Sequence, residues 1–152
     1  MLLATEFDTL ALGAKIAAIL RPGDCIALDG DLGAGKTTLA RGVLQALGLG
    51  SEAPSPTFAI VQPYDPPETR IPVWHIDLYR IEEPEDVVEL GLDEMRREVA
   101  MLIEWPDRLG KRLWPDALRL HLGVESQSGG QTAARRLTAQ VPSAWEGRWP
   151  PS

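Results

Sequence analysis

The residues best placed to do chemistry lie in the run GDLGAGKT, at positions 30–37. This run matches every fixed position of the phosphate-loop pattern G-x-x-x-x-G-K-[ST]. Bare glycine backbone lets amide N–H groups surround a polyphosphate, and the helix that follows adds its positive dipole end. Lys36 would neutralise the β- and γ-phosphates, and the hydroxyl of Thr37 would ligate Mg²⁺. The pattern therefore predicts nucleotide binding.

Two elements must position this loop. The apolar run over residues 25–29 is typical of a buried strand, and apolar residues recur at helical spacing from Leu39 to Leu47, in a helix that begins near Lys36. A glycine-rich turn before an ordinary helix is the competing interpretation. The order of strand, loop and helix favours the phosphate loop, because the motif requires that context.

A second candidate element is the apolar run over residues 99–103, which ends in Glu104. A strand that delivers a carboxylate beside a phosphate loop has the physical form of a Walker B element. An acid after an apolar strand is common in any sheet protein, so this interpretation depends on the loop upstream. With that loop present, Glu104 is expected to ligate Mg²⁺ directly or through water.

Polar residues also gather at the end of the strand predicted over residues 71–77. Alternation places His75, Asp77 and Tyr79 on one face, and ligands bind at the carboxyl ends of parallel strands. Asp77 is therefore expected to orient the attacking water or to hold a hydrated Mg²⁺. For His75, a structural hydrogen bond is favoured over a role as a base.

Five further residues are candidate nucleotide contacts, each with a structural alternative. Glu6 and Thr9 begin a predicted N-terminal helix, where they would contact the base or ribose or simply serve the helix end. Thr57 would reach the γ-phosphate or act as a β-branched strand residue. Arg135 and Arg136 would reach the nucleotide or remain on the surface.

The order of predicted strands and helices indicates an α/β fold in a single domain over residues 1–141, built around the phosphate loop. Alternating apolar residues in 118–124 and 133–141 predict a C-terminal antiparallel hairpin. Residues 142–152, rich in proline and tryptophan, are expected to form a tail that is a candidate for disorder. The acidic run 82–98 predicts a helix with a solvated face or, alternatively, a surface for a partner.

The composition excludes several protein classes. The 152 residues, 44% hydrophobic and 24% charged, are typical of one globular domain. A net charge of −7 disfavours a general clamp for RNA or DNA, which needs clustered Lys and Arg. No apolar run approaches the roughly 20 residues of a membrane span. Because the one cysteine, Cys25, fits a small buried hydrophobe, a cytoplasmic location is expected.

The motifs GDLGAGKTTLARG, SPTF, HIDLYR, ELGLDE and IEWPDR occur in an order and spacing that resemble the TsaE/YjeE family. That family is the ATPase component of bacterial tRNA threonylcarbamoyladenosine biosynthesis. The likeness covers residues 6–107 and thins in the C-terminal hairpin. It implies a P-loop NTPase fold, with a central mixed, mostly parallel sheet flanked by helices. It also implies ATP, Mg²⁺, slow hydrolysis and partner proteins of the TsaB and TsaD type. It further implies work on tRNA, which we expect this acidic chain to engage indirectly, and it leaves the oligomeric state open.

Carried over by position, the resemblance implies roles for individual residues. Thr37 and Glu104 would bind Mg²⁺, and Asp77 would support hydrolysis. Thr57 would lie in a switch-like segment, Glu6 near the nucleotide and Trp105 beside the site. The residues that would hold the phosphates are Gly33, Ala34, Gly35, Lys36, Thr37 and Thr38.

Other protein classes compete with this interpretation. A GTPase would need the asparagine of a guanine-reading N-K-x-D element, and the sequence contains no asparagine. A small-molecule kinase is compatible with the phosphate loop, although no segment resembles an arginine-rich lid or an acceptor pocket. A non-hydrolysing module that uses ATP to organise a docking surface also stays open. The C-terminal arginine of the family has no clear counterpart at Gln131 and Thr132, so Arg135 and Arg136 remain alternatives.

Overall fold

The computed structural model describes residues 1–31, 33–49, 60–125 and 134–151. Seven strands form one sheet in the order β1-β7-β6-β2-β5-β4-β3. The strands are β1 (Leu2–Leu3), β2 (Cys25–Asp29), β3 (Val61–Tyr64), β4 (Val73–Asp77), β5 (Ala100–Glu104), β6 (Leu118–Glu125) and β7 (Ala134–Gln140). The central strands β6, β2, β5 and β4 run parallel, and the three outer pairings are antiparallel. The predicted mixed sheet and the β6–β7 hairpin are confirmed.

The helical segments differ from one another in length and in type. The α-helices are α1 (Glu6–Ile19), α2 (Lys36–Leu44) and α3 (Leu92–Met95), and α2 continues into a π-helical turn over Gln45–Leu49. Segments of 3₁₀-helix cover Pro84–Leu90, Pro106–Arg112 and Ser143–Trp145. Gly91, with φ of 72°, separates the first of these from α3, so the acidic run is two short helices rather than one. Within the described residues, no helix has both the length and the apolar character that crossing a membrane requires.

The first helix begins with a capping box and packs closely on α2. The Thr5 hydroxyl accepts the backbone N–H of Asp8 at 3.1 Å, and the Asp8 carboxylate accepts the N–H of Thr5 at 3.2 Å. Glycines let the two helices approach, because a Cβ on Gly13 would lie 2.7 Å from the nitrogen of Val43. This close contact fixes α2, and with it the loop that precedes α2.

Apolar side chains cover both faces of the central strands. In β2, Ile26 and Leu28 pack with α1 and α2, whereas Cys25 and Ala27 face a second cluster, which includes Val87 and Leu109 of the first two 3₁₀ segments. Burial on two faces explains why β2 and β5 are nearly continuous apolar runs rather than alternating ones.

The C-terminal segment packs against the domain and is not a separate tail. Trp145 is only 1% exposed and joins the core under α1 and α2. The Arg148 guanidinium donates to the two carboxylate oxygens of Asp24 at 2.8 and 2.9 Å and to the carbonyl of Ile19 at 3.2 Å. A buried aromatic ring and a two-point ion pair therefore attach residues 142–151, which composition alone assigns to a tail.

Candidate functional site

The phosphate loop connects the carboxyl end of β2 to the amino end of α2. Gly30 has φ of 142°, and a Cβ there would collide with the carbonyl oxygen of Leu122 on β6. Gly35, at the N-cap of α2, has the left-handed φ of 102° and, in the described part of the chain, no side chain caps this helix. The first amide groups of α2 are therefore available to an anion.

The side chain of Lys36 is held over this loop. It is 4% exposed, its Nζ donates to the carbonyl oxygen of Gly30, and the same atom lies 3.5 Å from the centroid of the Trp105 ring. Burial lowers the pKa of Lys36, although the nearby carboxylate of Glu104 acts in the opposite direction. A carbonyl dipole and an aromatic face thus hold an ammonium group that a phosphate would stabilise further.

The carboxylate of Glu104, at the end of β5, is held at both oxygens. The Thr37 hydroxyl donates to Oε1 at 2.8 Å, and Nε2 of His75 lies 2.7 Å from Oε2. Glu104 is only 2% exposed, so its position is fixed by these contacts rather than by solvent. The apolar strand β5 therefore delivers an acid to the first turn of α2, as its sequence position suggested.

The donors gathered here fit Mg²⁺. A hydroxyl and a carboxylate are hard oxygen ligands, and Thr37 and Glu104 bring them within 2.8 Å of each other beside the glycine loop. Mg²⁺ commonly takes one or two protein oxygens and completes its octahedron with water and substrate phosphates. The residues present therefore match the ion that the phosphate-loop motif implies.

Asp77 ends the neighbouring strand β4, where it pairs in register with Glu104. Its Oδ1 accepts the backbone N–H of Tyr79 at 3.0 Å, and the half-buried carboxylate lines the same cleft as Lys36. Burial raises the pKa of Asp77 above its ordinary value, and the hydrogen bond from Tyr79 opposes that shift. A carboxylate with a raised pKa is a better proton acceptor, which suits a water-activating group.

Two aromatic rings complete the wall of the cleft. Trp105 has φ of 59°, a left-handed conformation that is rare outside glycine, and it directly precedes a 3₁₀ segment. This backbone places its ring beside Lys36 and 5.0 Å from the ring of Tyr79, centroid to centroid. Alternation placed Tyr79 on the face of Asp77, but no sequence pattern assigns its ring to the site.

The structure distinguishes the two arginines that the sequence left as alternatives. Arg135 donates to the carbonyl oxygen of Gly33 at 3.0 Å, and its side chain lies against Gly35. Arg136 is the next residue of β7 and therefore faces the other side of the sheet. Only Arg135 of the two lines the cleft.

Of the other residues predicted to contact the nucleotide, only some lie at the cleft. Thr38 lines the cleft, and Ala34 is buried within the loop. Glu6 is exposed at the start of α1, and the hydroxyl of Thr9 is buried against the helix itself. Neither of them lines the cleft, so their contact with base or ribose stays a prediction. Thr57 lies outside the described residues.

Comparisons with known proteins identify the family of this chain. Residues 3–136 match the family model described as threonylcarbamoyl adenosine biosynthesis protein TsaE. A protein of Rickettsia felis named tRNA threonylcarbamoyladenosine biosynthesis protein TsaE is 35% identical over 82% of this chain and 72% of its own length. Its namesake in Bacillus subtilis is 37% identical over 74% and 70%.

A solved structure extends the likeness to the fold. The crystal structure of YdiB from Bacillus subtilis superposes with a TM-score of 0.74 at 28% identity, covering 96% of this chain and 87% of that one. The resemblance seen in the sequence motifs is therefore confirmed, and the α/β architecture is that of a P-loop NTPase. With a family match across most of its length, the chain belongs to the TsaE family.

Proposed function

We propose that this chain is a Mg²⁺-dependent ATPase that acts in the biosynthesis of threonylcarbamoyladenosine in tRNA. One observation carries the chemistry: Lys36, the pair formed by Thr37 and Glu104, and Asp77 converge on a single cleft beside the glycine loop. Membership of the TsaE family supports the pathway, because its members are named for that biosynthesis.

The loop and two cations bind the triphosphate. Amide groups at the start of α2 and the ammonium of Lys36 contact the β- and γ-phosphates, and Arg135 adds a second cation beside Gly33. Thr37 and Glu104 are the residues that would hold Mg²⁺. When bound, this ion supplies positive charge that neutralises the phosphate oxygens.

Hydrolysis then requires an oriented water. Asp77 accepts a hydrogen bond from that water and takes its proton as the oxygen bonds to the γ-phosphorus and the bond to the bridging oxygen of ADP breaks. Lys36 stabilises the negative charge of the transferring group. The backbone N–H of Tyr79 orients the Asp77 carboxylate by donating to its Oδ1.

The chain is proposed to hydrolyse ATP slowly alone and faster with partner proteins of the TsaB and TsaD type, in the cytoplasm where tRNA is modified. The net charge of −7 supports indirect contact with tRNA, since the partners would hold most of that polyanion. The segment 55–58, proposed to report the nucleotide state to the partners, lies outside the described residues.

The test is an ATPase assay of the chain alone, with both partners, and with partners and tRNA. Stimulated release of ADP and phosphate is expected, and Glu104→Gln should reduce it about 100-fold. The matched control Glu98→Gln changes an exposed carboxylate and should leave the rate unchanged. Binding without turnover under all conditions would favour an ATP-dependent docking module, and phosphate on a small acceptor would favour a kinase.

A further inference from the structure

The buried imidazole of His75 has no assigned part in the proposed reaction, yet it touches a proposed Mg²⁺ ligand. On adjacent parallel strands, His75 lies opposite Leu102, two residues before Glu104 on the same face. Its Nε2 reaches Oε2 of Glu104 at 2.7 Å, and the histidine is only 1% exposed. The contact is therefore shielded from water along its whole length.

Hydrogen-bond chemistry fixes the direction of this contact. As a Mg²⁺ ligand the carboxylate of Glu104 is deprotonated and can only accept, so in that state the hydrogen lies on Nε2 of His75 and is donated to Oε2. The other ring nitrogen, Nδ1, is buried and has no hydrogen-bond partner among the described residues. An apolar side chain would fill the same space without burying an unpaired nitrogen, so packing alone does not explain a histidine here.

We propose that His75 is a positioning residue for Mg²⁺ binding. Its Nε2–H holds one oxygen of Glu104, which leaves the other oxygen directed at the Thr37 hydroxyl and the proposed ion site. The terminal torsion of a glutamate is otherwise broad, so a carboxylate held only at Oε1 by Thr37 would lose this fixed orientation. The inference rests on the proposed function, and it adds a residue that strengthens Mg²⁺ binding by orienting Glu104.

The test measures Mg²⁺ binding without relying on turnover. Isothermal titration calorimetry gives the ADP affinity with and without Mg²⁺, and thermal unfolding gives stability. His75→Leu should reduce about 10- to 100-fold the factor by which Mg²⁺ strengthens ADP binding. The affinity for ADP without Mg²⁺ should stay unchanged. His121→Leu is the matched control, because that histidine is exposed and contacts Asp29 rather than Glu104.

Two polar variants keep the test decisive if His75→Leu does not fold. His75→Gln can place an amide donor near the position of Nε2, whereas the shorter His75→Asn can place one only near Nδ1. Restored Mg²⁺ coupling in the glutamine variant but not in the asparagine variant is expected. Equal coupling in both would overturn the positioning role.

The outcomes also separate this inference from the proposed function. If ADP binding by His75→Leu depended on Mg²⁺ as it does in the wild type, the positioning role would be contradicted and the proposed function would not. Loss of metal-free affinity in step with a lowered melting temperature would show that His75 is merely structural. A wild-type chain that binds ADP with no response to Mg²⁺, by contrast, would contradict the proposed function itself.

Discussion

Buried charge is treated differently at the two ends of the central strands. At the carboxyl edge, where β2, β4 and β5 end, burial lowers the pKa of Lys36 and raises that of Asp77, so both shift away from their charged forms. At the amino edge, where β2 begins, Arg148 meets both carboxylate oxygens of Asp24. That pairing raises the pKa of Arg148 still further.

The difference separates stability from function. The amino edge pairs its charges within the chain and adds the Arg148 guanidinium 4.1 Å from the Trp145 ring centroid. The carboxyl edge keeps Lys36 and Asp77 imperfectly compensated and holds Trp105 in a left-handed conformation. Residues that bind a ligand are commonly kept at some loss of stability, because the ligand supplies the missing partner. Changes at the two edges should therefore have opposite signatures.

The largest effect is expected from Lys36→Met. Removing the cation that stabilises the transferring phosphate should lower single-turnover ATP hydrolysis about 100- to 1,000-fold. The melting temperature should stay equal or rise, because burial already disfavours the charged lysine. The exposed Lys111→Met serves as the control. A variant that keeps its activity, or loses several degrees of stability, would contradict the proposed division between the edges.

Arg148→Ala should show the reverse signature. Two charge-assisted hydrogen bonds to Asp24 are lost, and urea unfolding should report a decrease of about 2 kcal/mol in the free energy of unfolding. ADP affinity of the folded variant should not change, since the pair lies at the far end of β2. Arg97→Ala, at an exposed arginine, is the control. Unchanged stability would show that solvent and the backbone N–H of Arg21, which also donates to Asp24, already satisfy this carboxylate.

Asp77→Asn tests the charge at the carboxyl edge through its dependence on pH. Because burial raises the native pKa of Asp77 above its unfolded value, the native state binds more protons at this site. The carboxylate therefore costs no stability below its unfolded pKa of about 4, and that cost appears as pH rises through the native pKa. Asparagine retains the acceptor for Tyr79 but carries no charge.

The variant should accordingly be slightly more stable than wild type at pH 7, with the gain vanishing toward pH 4. The half-exposed position makes this gain smaller than the loss in Arg148→Ala. Denaturant unfolding at several pH values measures it, and ATP hydrolysis by the same variant should fall. A gain that grew on acidification would have the wrong sign and would contradict the raised pKa.

Sequence patterns that span only a few residues predict most of the fold and half of the site. The capping box of Thr5 and Asp8, the glycine loop and the apolar strands β2 and β5 each lie within a few residues of sequence, where spacing predicts geometry. The acid Glu104 followed from its place at the end of such a strand. These elements needed no knowledge of tertiary structure.

Contacts between distant segments could not be read in the same way. His75 meets Glu104 across 29 residues only because of the register of β4 on β5, and Arg148 meets Asp24 across 124 residues. The choice of Arg135 over Arg136 depends on which face β7 turns to the loop. Composition alone placed Trp145 in a tail, although its ring is buried.

The smallest effect is expected at Cys25, the first residue of β2, where burial makes the thiol unreactive. The thiol is 1% exposed, and desolvation raises its pKa to about 12. At pH 8 the native chain should therefore react with iodoacetamide far more slowly than a free thiol, and urea should restore the reaction in step with unfolding. Saturating Mg²⁺ and ADP, which bind at the opposite edge, should slow labelling only as far as they suppress global unfolding. Rapid labelling of the native chain would mean that the amino edge opens locally. The charge pair at that edge would then not belong to a rigid region.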